Sequence, residues 1–324
     1  MLGAMVLGCG LAWPASAQSL ASAATTPHGV ARRAHADLPT EVIKPLRQAQ
    51  VPPSALSVQI TPLPDGPASG NSWPRQLSHH SQASVKQASV MKLFTTYAGL
   101  SLLGPEHVWR NRIYTDGAVR DGVLQGNLIV RGSGDPKMVV ERLQELLTQV
   151  RAAGAREVRG DIVLDRSVFD VRERSEPFDD EPLRPYNVGP DGLLLNFKAV
   201  VYKFTPDVAN GQVQVRFEPP LAGFSAPTQL PLTQAPCSDW RRQLQADFSQ
   251  AQQVRFAGRY PASCGEREWP VAYPEPEAYA PRVMQALWQQ AGGQLTGQVR
   301  YGSRPTSAKL LLEAPSLPLF EIIK

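Results

Sequence analysis

Proline placement constrains this chain more than any other feature of its sequence. The 324 residues include 30 prolines, most of which fall between runs of periodic hydrophobicity. Proline fixes φ and has no backbone N–H, so it interrupts helices and central strands. The pattern therefore predicts a loop-rich chain of short strands and turns, and it argues against a helical bundle. A hydrophobic content of 42% suffices for a sizeable core.

Between the prolines, hydrophobic periodicity predicts a mixture of helices and strands. An acidic, proline-marked loop is expected over residues 171–192, followed by a region rich in strands up to about residue 270. Helices are predicted near residues 40–47, 139–153 and 282–292, and strands near residues 55–60, 123–130, 162–164 and 211–217.

Charge and short motifs exclude several classes of function. The net charge is +4, but the arginines are dispersed and no basic run alternates with aromatic residues, so we expect no nucleic-acid binding. His79 and His80 are adjacent rather than four residues apart, and the sequence has no H-E-x-x-H, so we expect no metal. The stretch Gly132-Ser133-Gly134-Asp135-Pro136 lacks a third glycine and predicts a tight turn. We accordingly expect no cofactor.

The first 17 residues predict a signal peptide that is cleaved after Ala17. They form a short apolar run that ends in the small-residue pattern Ala15-Ser16-Ala17. Lipidation at Cys9 is a weaker alternative, because only eight residues precede that cysteine. No later stretch is apolar over about 18 residues, so we expect an exported, periplasmic protein without an integral membrane span.

Export favours a disulfide between the two remaining cysteines. If Cys9 leaves with the signal peptide, Cys237 and Cys264 remain as an even pair in an oxidising compartment. Two buried thiols are the alternative.

The sequence QASVMKLFTTYAGLSLLG, residues 87–104, predicts one helix that is apolar on nearly every side and therefore largely buried. Ser89 and Lys92 form an S-x-x-K motif, and residues three apart share a helix face. A buried lysine loses hydration, which lowers its pKa and lets it act as a base for the serine hydroxyl. The alternative is a lysine that extends from the helix start into solvent.

Several blocks of residues 38–324 resemble the serine-type D-alanyl-D-alanine carboxypeptidases/endopeptidases of the class C low-molecular-mass penicillin-binding proteins. The blocks follow one another in the order found in that family. They are Ala88–Ala98 with Leu102-Leu103-Gly104-Pro105, then Gly126–Pro136, Gly160–Asp165 with Phe169, and Tyr186–Phe197.

The resemblance implies an α/β fold with a transpeptidase/β-lactamase-like catalytic domain, incomplete in this chain, and a large, mainly β, inserted region. It implies a domain order of signal peptide 1–17, flexible leader 18–37, catalytic segment 38–104, inserted region 105–300 with two subdomains, and returning catalytic segment 301–324.

The resemblance also assigns roles to individual residues. It implies that Ser89 forms an acyl-enzyme with peptidoglycan stem peptides and that Lys92 is the base. Tyr186, with Asp180 and Phe178 nearby, matches residues beside the stem peptide's side chain. Cys237 and Cys264 match a disulfide of the inserted region. By the same likeness, β-lactam antibiotics are expected to be covalent inhibitors.

One departure from that family limits the expected activity. Its site also needs an S-x-N and a K-[TS]-G beyond the S-x-x-K. Ser69-Gly70-Asn71 precedes Ser89 and is read as a turn, and no K-T-G or K-S-G occurs. The sequence therefore reads as a fragment that we expect to be inactive if it ends at Lys324. The alternative function is a non-catalytic peptidoglycan-binding or cell-wall assembly protein that keeps the fold.

The signal-peptide prediction is tested by sequencing the N-terminus of the exported protein. Cleavage after Ala17 should give a mature chain that begins at Gln18. A chain that still begins at Met1, or one that begins at a lipid-modified Cys9, would contradict it.

Overall fold

A computed structural model describes residues 38–60, 77–85, 88–170 and 179–324. These residues divide into two compact units, one ending at Ser89 and one beginning at Val90. The signal-peptide and leader predictions, Ser69-Gly70-Asn71 and Phe178 lie outside the described residues. No helix within the described ranges is long and apolar enough to cross a membrane.

The first unit contains one helix and a two-stranded sheet. Helix α1 covers Thr40–Gln48, as predicted, and strands β1 (Val58–Ile60) and β2 (Leu77–His79) pair antiparallel. The predicted strand over residues 55–60 is shorter in the structure, because Pro53–Ala55 forms a 3₁₀ turn. Proline favours such a turn, since its φ is already close to the helical value.

The second unit carries most of the secondary structure. Its elements are α2 (Met91–Leu103), β3 (Arg110–Thr115), β4 (Ala118–Arg120), β5 (Val123–Gln125), β6 (Leu128–Arg131), α3 (Val140–Ala152), β7 (Glu157–Val158), β8 (Ile162–Asp165), β9 (Ala199–Asp207), β10 (Gln212–Glu218), β11 (Gln229–Thr233), α4 (Trp240–Gln243), β12 (Ala246–Asp247), β13 (Arg255–Phe256), β14 (Tyr260–Pro261), β15 (Arg267–Ala272), α5 (Pro276–Gln290), β16 (Gln294–Leu295), β17 (Val299–Tyr301), β18 (Lys309–Pro315) and α6 (Leu319–Ile323).

A mixed five-stranded sheet, ordered β17-β8-β6-β3-β18, forms one part of the core. Strands β17, β8 and β6 run parallel to one another, whereas β3 is antiparallel to β6, and all four residues of β8 are buried. Helices α3 and α5 contact each other, and α5 also contacts β17. Strand β18 pairs antiparallel with β3, although the sequence analysis assigned the two strands to different domains. The domain boundaries stay predictions.

The strand predicted over residues 123–130 is two strands in two different sheets, so this prediction is wrong. Strand β5 belongs to a small sheet ordered β16-β7-β5-β4, whereas β6 belongs to the five-stranded sheet. The break lies at Asn127, whose backbone and side-chain N–H groups both donate to the carboxylate of Asp116, at 2.6 and 2.7 Å. The Asp116 carboxylate thus takes the Asn127 N–H, while the Asn127 carbonyl still accepts the Asp116 N–H at 3.3 Å.

A second five-stranded sheet, ordered β14-β11-β10-β9-β15, has a core of aromatic side chains. The Phe204 and Tyr260 rings are stacked with centroids 5.4 Å apart, and Trp240 packs edge-on against both rings. The Cys237 and Cys264 Sγ atoms lie 2.06 Å apart, the length of a disulfide bond. This bridge joins the segment before α4 to the turn after β14, so it fastens α4 to the sheet.

The tight turn predicted over Gly132–Pro136 is not at Gly132-Ser133-Gly134, which is irregular; the turn lies at Pro136-Lys137. The backbone N–H of Gly132 donates to Asp165 O at 2.9 Å, and that of Gly134 donates to Gly192 O at 2.8 Å. The Ser133 N–H donates to Asn111 Oδ1 at 3.1 Å. Since all three donors already have acceptors in the protein, this loop is not arranged to hold a phosphate.

A buried ion pair holds an unusual backbone turn between the two sheets. Asn196, Phe197 and Lys198 all have positive φ, which side-chain-bearing residues rarely adopt. Lys198 Nζ lies 2.7 Å from Asp191 Oδ2, and both side chains are at least nine-tenths buried. The turn leads directly into β9. The ion pair therefore offsets local strain at the point where the chain enters the aromatic sheet.

Replacing Lys198 should destabilise the protein strongly. The Lys198→Met variant removes the lysine from the buried Asp191, which keeps its contacts with Arg166 and the Leu193 N–H, and we expect a loss of about 3 kcal/mol in the free energy of unfolding. Urea denaturation followed by circular dichroism measures this loss.

Lys203→Met is the matched control. Its ion pair with Glu218 at 3.1 Å is about half exposed, so the expected loss is about 1 kcal/mol or less. Equal losses in the two variants would contradict the role given to the buried pair.

Candidate functional site

The S-x-x-K motif lies where a 3₁₀ turn leads into α2. Ser89 is the middle residue of the turn Ala88–Val90, and Lys92 is the second residue of the helix. Both residues are exposed, and both take part in interactions. The exposure of Ser89 leaves the candidate nucleophile accessible to a substrate from solvent.

Helix α2 is exposed rather than buried, so the prediction of a largely buried helix is wrong for the described residues. Its apolar side chains reach high exposures, including 74% for Tyr97 and 83% for Leu102. The short helix α6 contacts α2, and the buried Leu319 packs beside Gly99. Five residues of helix cover only part of a 13-residue helix, which is why most of the α2 surface stays open.

The end of α2 agrees with its sequence. The helix stops at Leu103, and Gly104 follows with a φ of 85°. Only glycine adopts that conformation without steric cost, so Gly104 ends the helix and Pro105 cannot continue it. At the other end of the helix, Lys92 is exposed, whereas the role of a neutral base was predicted for a buried lysine.

The loop carrying Tyr186 is organised by a carboxylate that the sequence analysis did not select. Tyr186 Oη donates to Asp179 Oδ2 at 2.9 Å, and Asn187 Nδ2 donates to Asp179 Oδ1 at 2.7 Å. The Glu181 N–H also donates to Asp179 Oδ1, at 3.1 Å. Asp179, rather than Asp180, therefore fixes the orientation of the Tyr186 ring.

These hydrogen bonds shift the protonation of both partners. Partial desolvation opposes ionisation of Asp179, but the bonds from Asn187 and Tyr186 outweigh it and lower the pKa of that carboxyl group. The hydrogen bond to Asp179 raises the pKa of Tyr186. At neutral pH the loop therefore presents an ionised carboxylate and a neutral phenol side by side.

The other candidate residues occupy less constrained positions. Asp180 is exposed and is adjacent to Asp179 in the chain, and Tyr186 is 58% exposed. A sequence signal for Asp179 did exist, because an aspartate whose carboxylate accepts the backbone N–H two residues later is typical of a side-chain-stabilised turn. Within the described ranges, no group of three or more His, Cys, Asp or Glu side chains is arranged to hold a metal ion.

Comparisons with known proteins agree on one family. The sequence profile described as the D-Ala-D-Ala carboxypeptidase 3 (S13) family matches residues 74–324. The chain is 26% identical over 255 residues to the D-alanyl-D-alanine carboxypeptidase DacB of Haemophilus influenzae, covering 73% of this chain and 50% of the relative. It is 38% identical over 98 residues to a D-alanyl-D-alanine carboxypeptidase of Actinomadura sp., covering 29% of this chain and 18% of that relative.

Structural comparison shows the fold. Penicillin binding protein 4 (dacB) from Haemophilus influenzae superposes with a TM-score of 0.56 at 22% sequence identity, over 72% of this chain and 52% of that protein. A second crystal structure of that protein, complexed with a novel β-lactam, superposes with a TM-score of 0.50 at 21% identity, over 72% and 50% of the two chains. The α/β fold expected from the sequence is thereby confirmed. The chain spans about half the length, or less, of the curated relatives it matches.

The Tyr186→Phe variant tests the electrostatics of the loop. Losing the phenol donor should raise the pKa of Asp179 toward its ordinary value, because one of the bonds that favour the carboxylate is removed. Asp179 stabilises the folded protein at pH values above its unfolded-state pKa, and this stabilisation is lost as the pH falls through its folded-state pKa. Because the variant raises the folded-state pKa, it should lose this stabilisation at a higher pH. Carbon-detected NMR titration of the carboxyl group measures the shift.

Tyr114→Phe, in β3 and outside this loop, is the control and should leave the Asp179 titration unchanged. An unchanged pKa in Tyr186→Phe would show that the phenol does not hold the carboxylate.

Proposed function

The chain belongs to the D-Ala-D-Ala carboxypeptidase 3 (S13) family, and from this premise we propose that it is a serine carboxypeptidase that removes terminal D-alanine from peptidoglycan stem peptides. The single observation that carries the proposal is that the family match, residues 74–324, includes the Ser89 and Lys92 motif. The exposure of Ser89 supports it, because a nucleophile must meet its substrate.

The proposed chemistry is acyl transfer through Ser89. The Ser89 Oγ attacks the carbonyl carbon of the penultimate D-alanine while Lys92 takes the hydroxyl proton. The peptide bond breaks, the terminal D-alanine leaves with a proton, and the stem peptide stays bound to Ser89 as an ester. Water then hydrolyses the ester and restores the hydroxyl group. A β-lactam that acylates the same oxygen would act as a covalent inhibitor.

The loop around Tyr186 is the proposed contact for the substrate side chain. It presents an exposed aromatic ring whose phenol is fixed by Asp179, with the exposed carboxylate of Asp180 beside it in the chain. We place Phe178 in the same contact on the family resemblance. An ionised carboxylate next to an aromatic face suits a side chain that ends in an ammonium group.

The catalytic half of the site depends on α2 being covered. Lys92 is exposed, and the apolar residues Leu93, Phe94 and Tyr97 are 62–74% exposed. A lysine becomes a good base when it is desolvated, so α2 must be covered before Lys92 can act in this way. We therefore expect the 324-residue chain by itself to acylate poorly.

Export to the periplasm and action on cross-linked as well as free stem peptides are part of the same proposal.

Penicillin labelling tests the proposed nucleophile. The full product of the gene and the polypeptide 1–324 are incubated with a fluorescent penicillin, and the labelled peptide is identified by mass spectrometry. We expect Ser89 to be labelled in the full gene product and the Ser89→Ala variant to lose labelling and D-alanine release by at least about 10³-fold. Polypeptide 1–324 should label weakly.

Ser101→Ala, later in α2 and also exposed, is the matched control and should label normally. Labelling that survives in Ser89→Ala would overturn the proposed nucleophile. If no penicillin binds while peptidoglycan still does, the non-catalytic alternative is the better account.

A further inference from the structure

The second unit contains a cavity that is bordered by the loop Asp179–Asn187, which also carries Tyr186. Its volume is about 510 Å³, within the range typical of small-ligand sites. Leu183 and Arg184 of the loop line one side, and α4 with the residues after it lines another. The loop Asp179–Asn187 therefore borders this cavity as well as the proposed contact for the substrate side chain.

The floor of the cavity is aromatic and apolar. The Phe248 and Trp269 rings meet at right angles with centroids 5.4 Å apart, and Trp269 also packs edge-on against Trp240 at 5.8 Å. Val271 is buried beneath them. The half-buried rings are held by these contacts, so they form a rigid surface for an apolar group at little cost in conformational entropy.

The rim of the cavity carries an excess of positive charge. Arg184 is paired with Glu181, its Nε lying 2.8 Å from Glu181 Oε2. Neither Arg241 nor Arg242 forms an ion pair with a residue that the structure describes. The nearby carboxylate of Asp239 accepts the backbone N–H of Arg242 at 3.3 Å. Apart from the Arg184–Glu181 pair, the rim therefore carries two arginines, Arg241 and Arg242, and one carboxylate, Asp239.

Arg241 is positioned by the aromatic floor. Its guanidinium carbon lies 5.1 Å from the Trp240 ring centroid and 5.9 Å from that of Trp269. Both distances are within the range of cation–π attraction, which keeps the guanidinium group over the indoles. A second cavity of about 420 Å³ also borders Arg241, and it is lined by Lys203 and Arg267 as well as by Glu266 and Glu268.

We propose that the cavity floored by Trp269 and Phe248 binds an acidic peptide, with Arg241 and Arg242 holding carboxylates and the aromatic floor contacting an apolar part. Guanidinium groups bind carboxylates through paired hydrogen bonds, and two of them suit a ligand with two carboxylates. The choice of a peptide rests on the proposed function, since the cavity shares a loop with the contact proposed for the stem peptide. A second stretch of stem peptide would fit this description.

Binding is tested with the 324-residue chain in a Ser89→Ala background. The probe is fluorescein-labelled L-Ala-γ-D-Glu-L-Lys-D-Ala-D-Ala, and the comparison probe is the same peptide with both carboxyl groups amidated. Fluorescence anisotropy at low salt should show binding of the acidic peptide, weakened by added salt, and at least about tenfold weaker binding of the amide.

Variants locate the bound peptide. The double variant Arg241→Ala/Arg242→Ala should raise Kd at least about tenfold, and Arg242→Glu should do so without disturbing the stacked Arg241. Arg120→Ala, an exposed arginine in β4, is the matched control and should change Kd less than about twofold. Thermal melting of each variant checks that the fold is kept.

The outcomes separate this proposal from the proposed function. Equal binding of the acidic and amidated peptides, or an unchanged Kd in both cavity variants, overturns the cavity proposal even if penicillin labels Ser89. Loss of Ser89 labelling with retained, arginine-dependent peptide binding overturns the carboxypeptidase proposal and supports the cavity.

Discussion

The buried ion pair between Lys198 and Asp191 is the interaction on which the second unit most depends. Asp191 Oδ2 lies 2.7 Å from Lys198 Nζ and 3.3 Å from Arg166 Nη1, and its other oxygen accepts the Leu193 N–H at 2.9 Å. Arg166 in turn bonds to Glu277 at the start of α5 and lies over the Tyr301 ring of β17. One carboxylate therefore connects the five-stranded mixed sheet, α5 and the entrance to the aromatic sheet.

The candidate functional surfaces of the second unit depend on elements that this pair fixes. The left-handed turn before β9 sets the direction in which that strand leaves, and residues 199–204 of β9 pair with the whole of β15. Trp269 on β15 forms the floor of the arginine-rimmed cavity. The Ala272 N–H donates to Leu183 O at 2.8 Å, which holds the loop Asp179–Asn187 against the same strand. Rigid strands thus support loops that carry the candidate binding groups.

Much of the fold follows from local sequence signals. The helix over residues 139–153, the buried strand at residues 162–164 and the helix stop at Gly104 are confirmed, because each depends on periodicity or on one special residue. The split at Asn127 escaped prediction because it depends on Asp116, a partner eleven positions away in the chain. The left-handed turn at residues 196–198 was not predicted for a similar reason. Its strain is offset by a tertiary ion pair, which no local pattern reveals.

The sequence by itself determined the candidate nucleophile and base and the family, because motifs and their spacing record chemistry directly. It also favoured a disulfide between the two cysteines. Tertiary structure decided the environment of those residues. It showed α2 exposed rather than buried, it brought Asp179 rather than Asp180 to Tyr186, and it brought Arg241 and Arg242 to a cavity that Phe248 and Trp269 also line. Burial, hydrogen-bond partners and local charge depend on which distant segments pack together, and a linear pattern does not specify that.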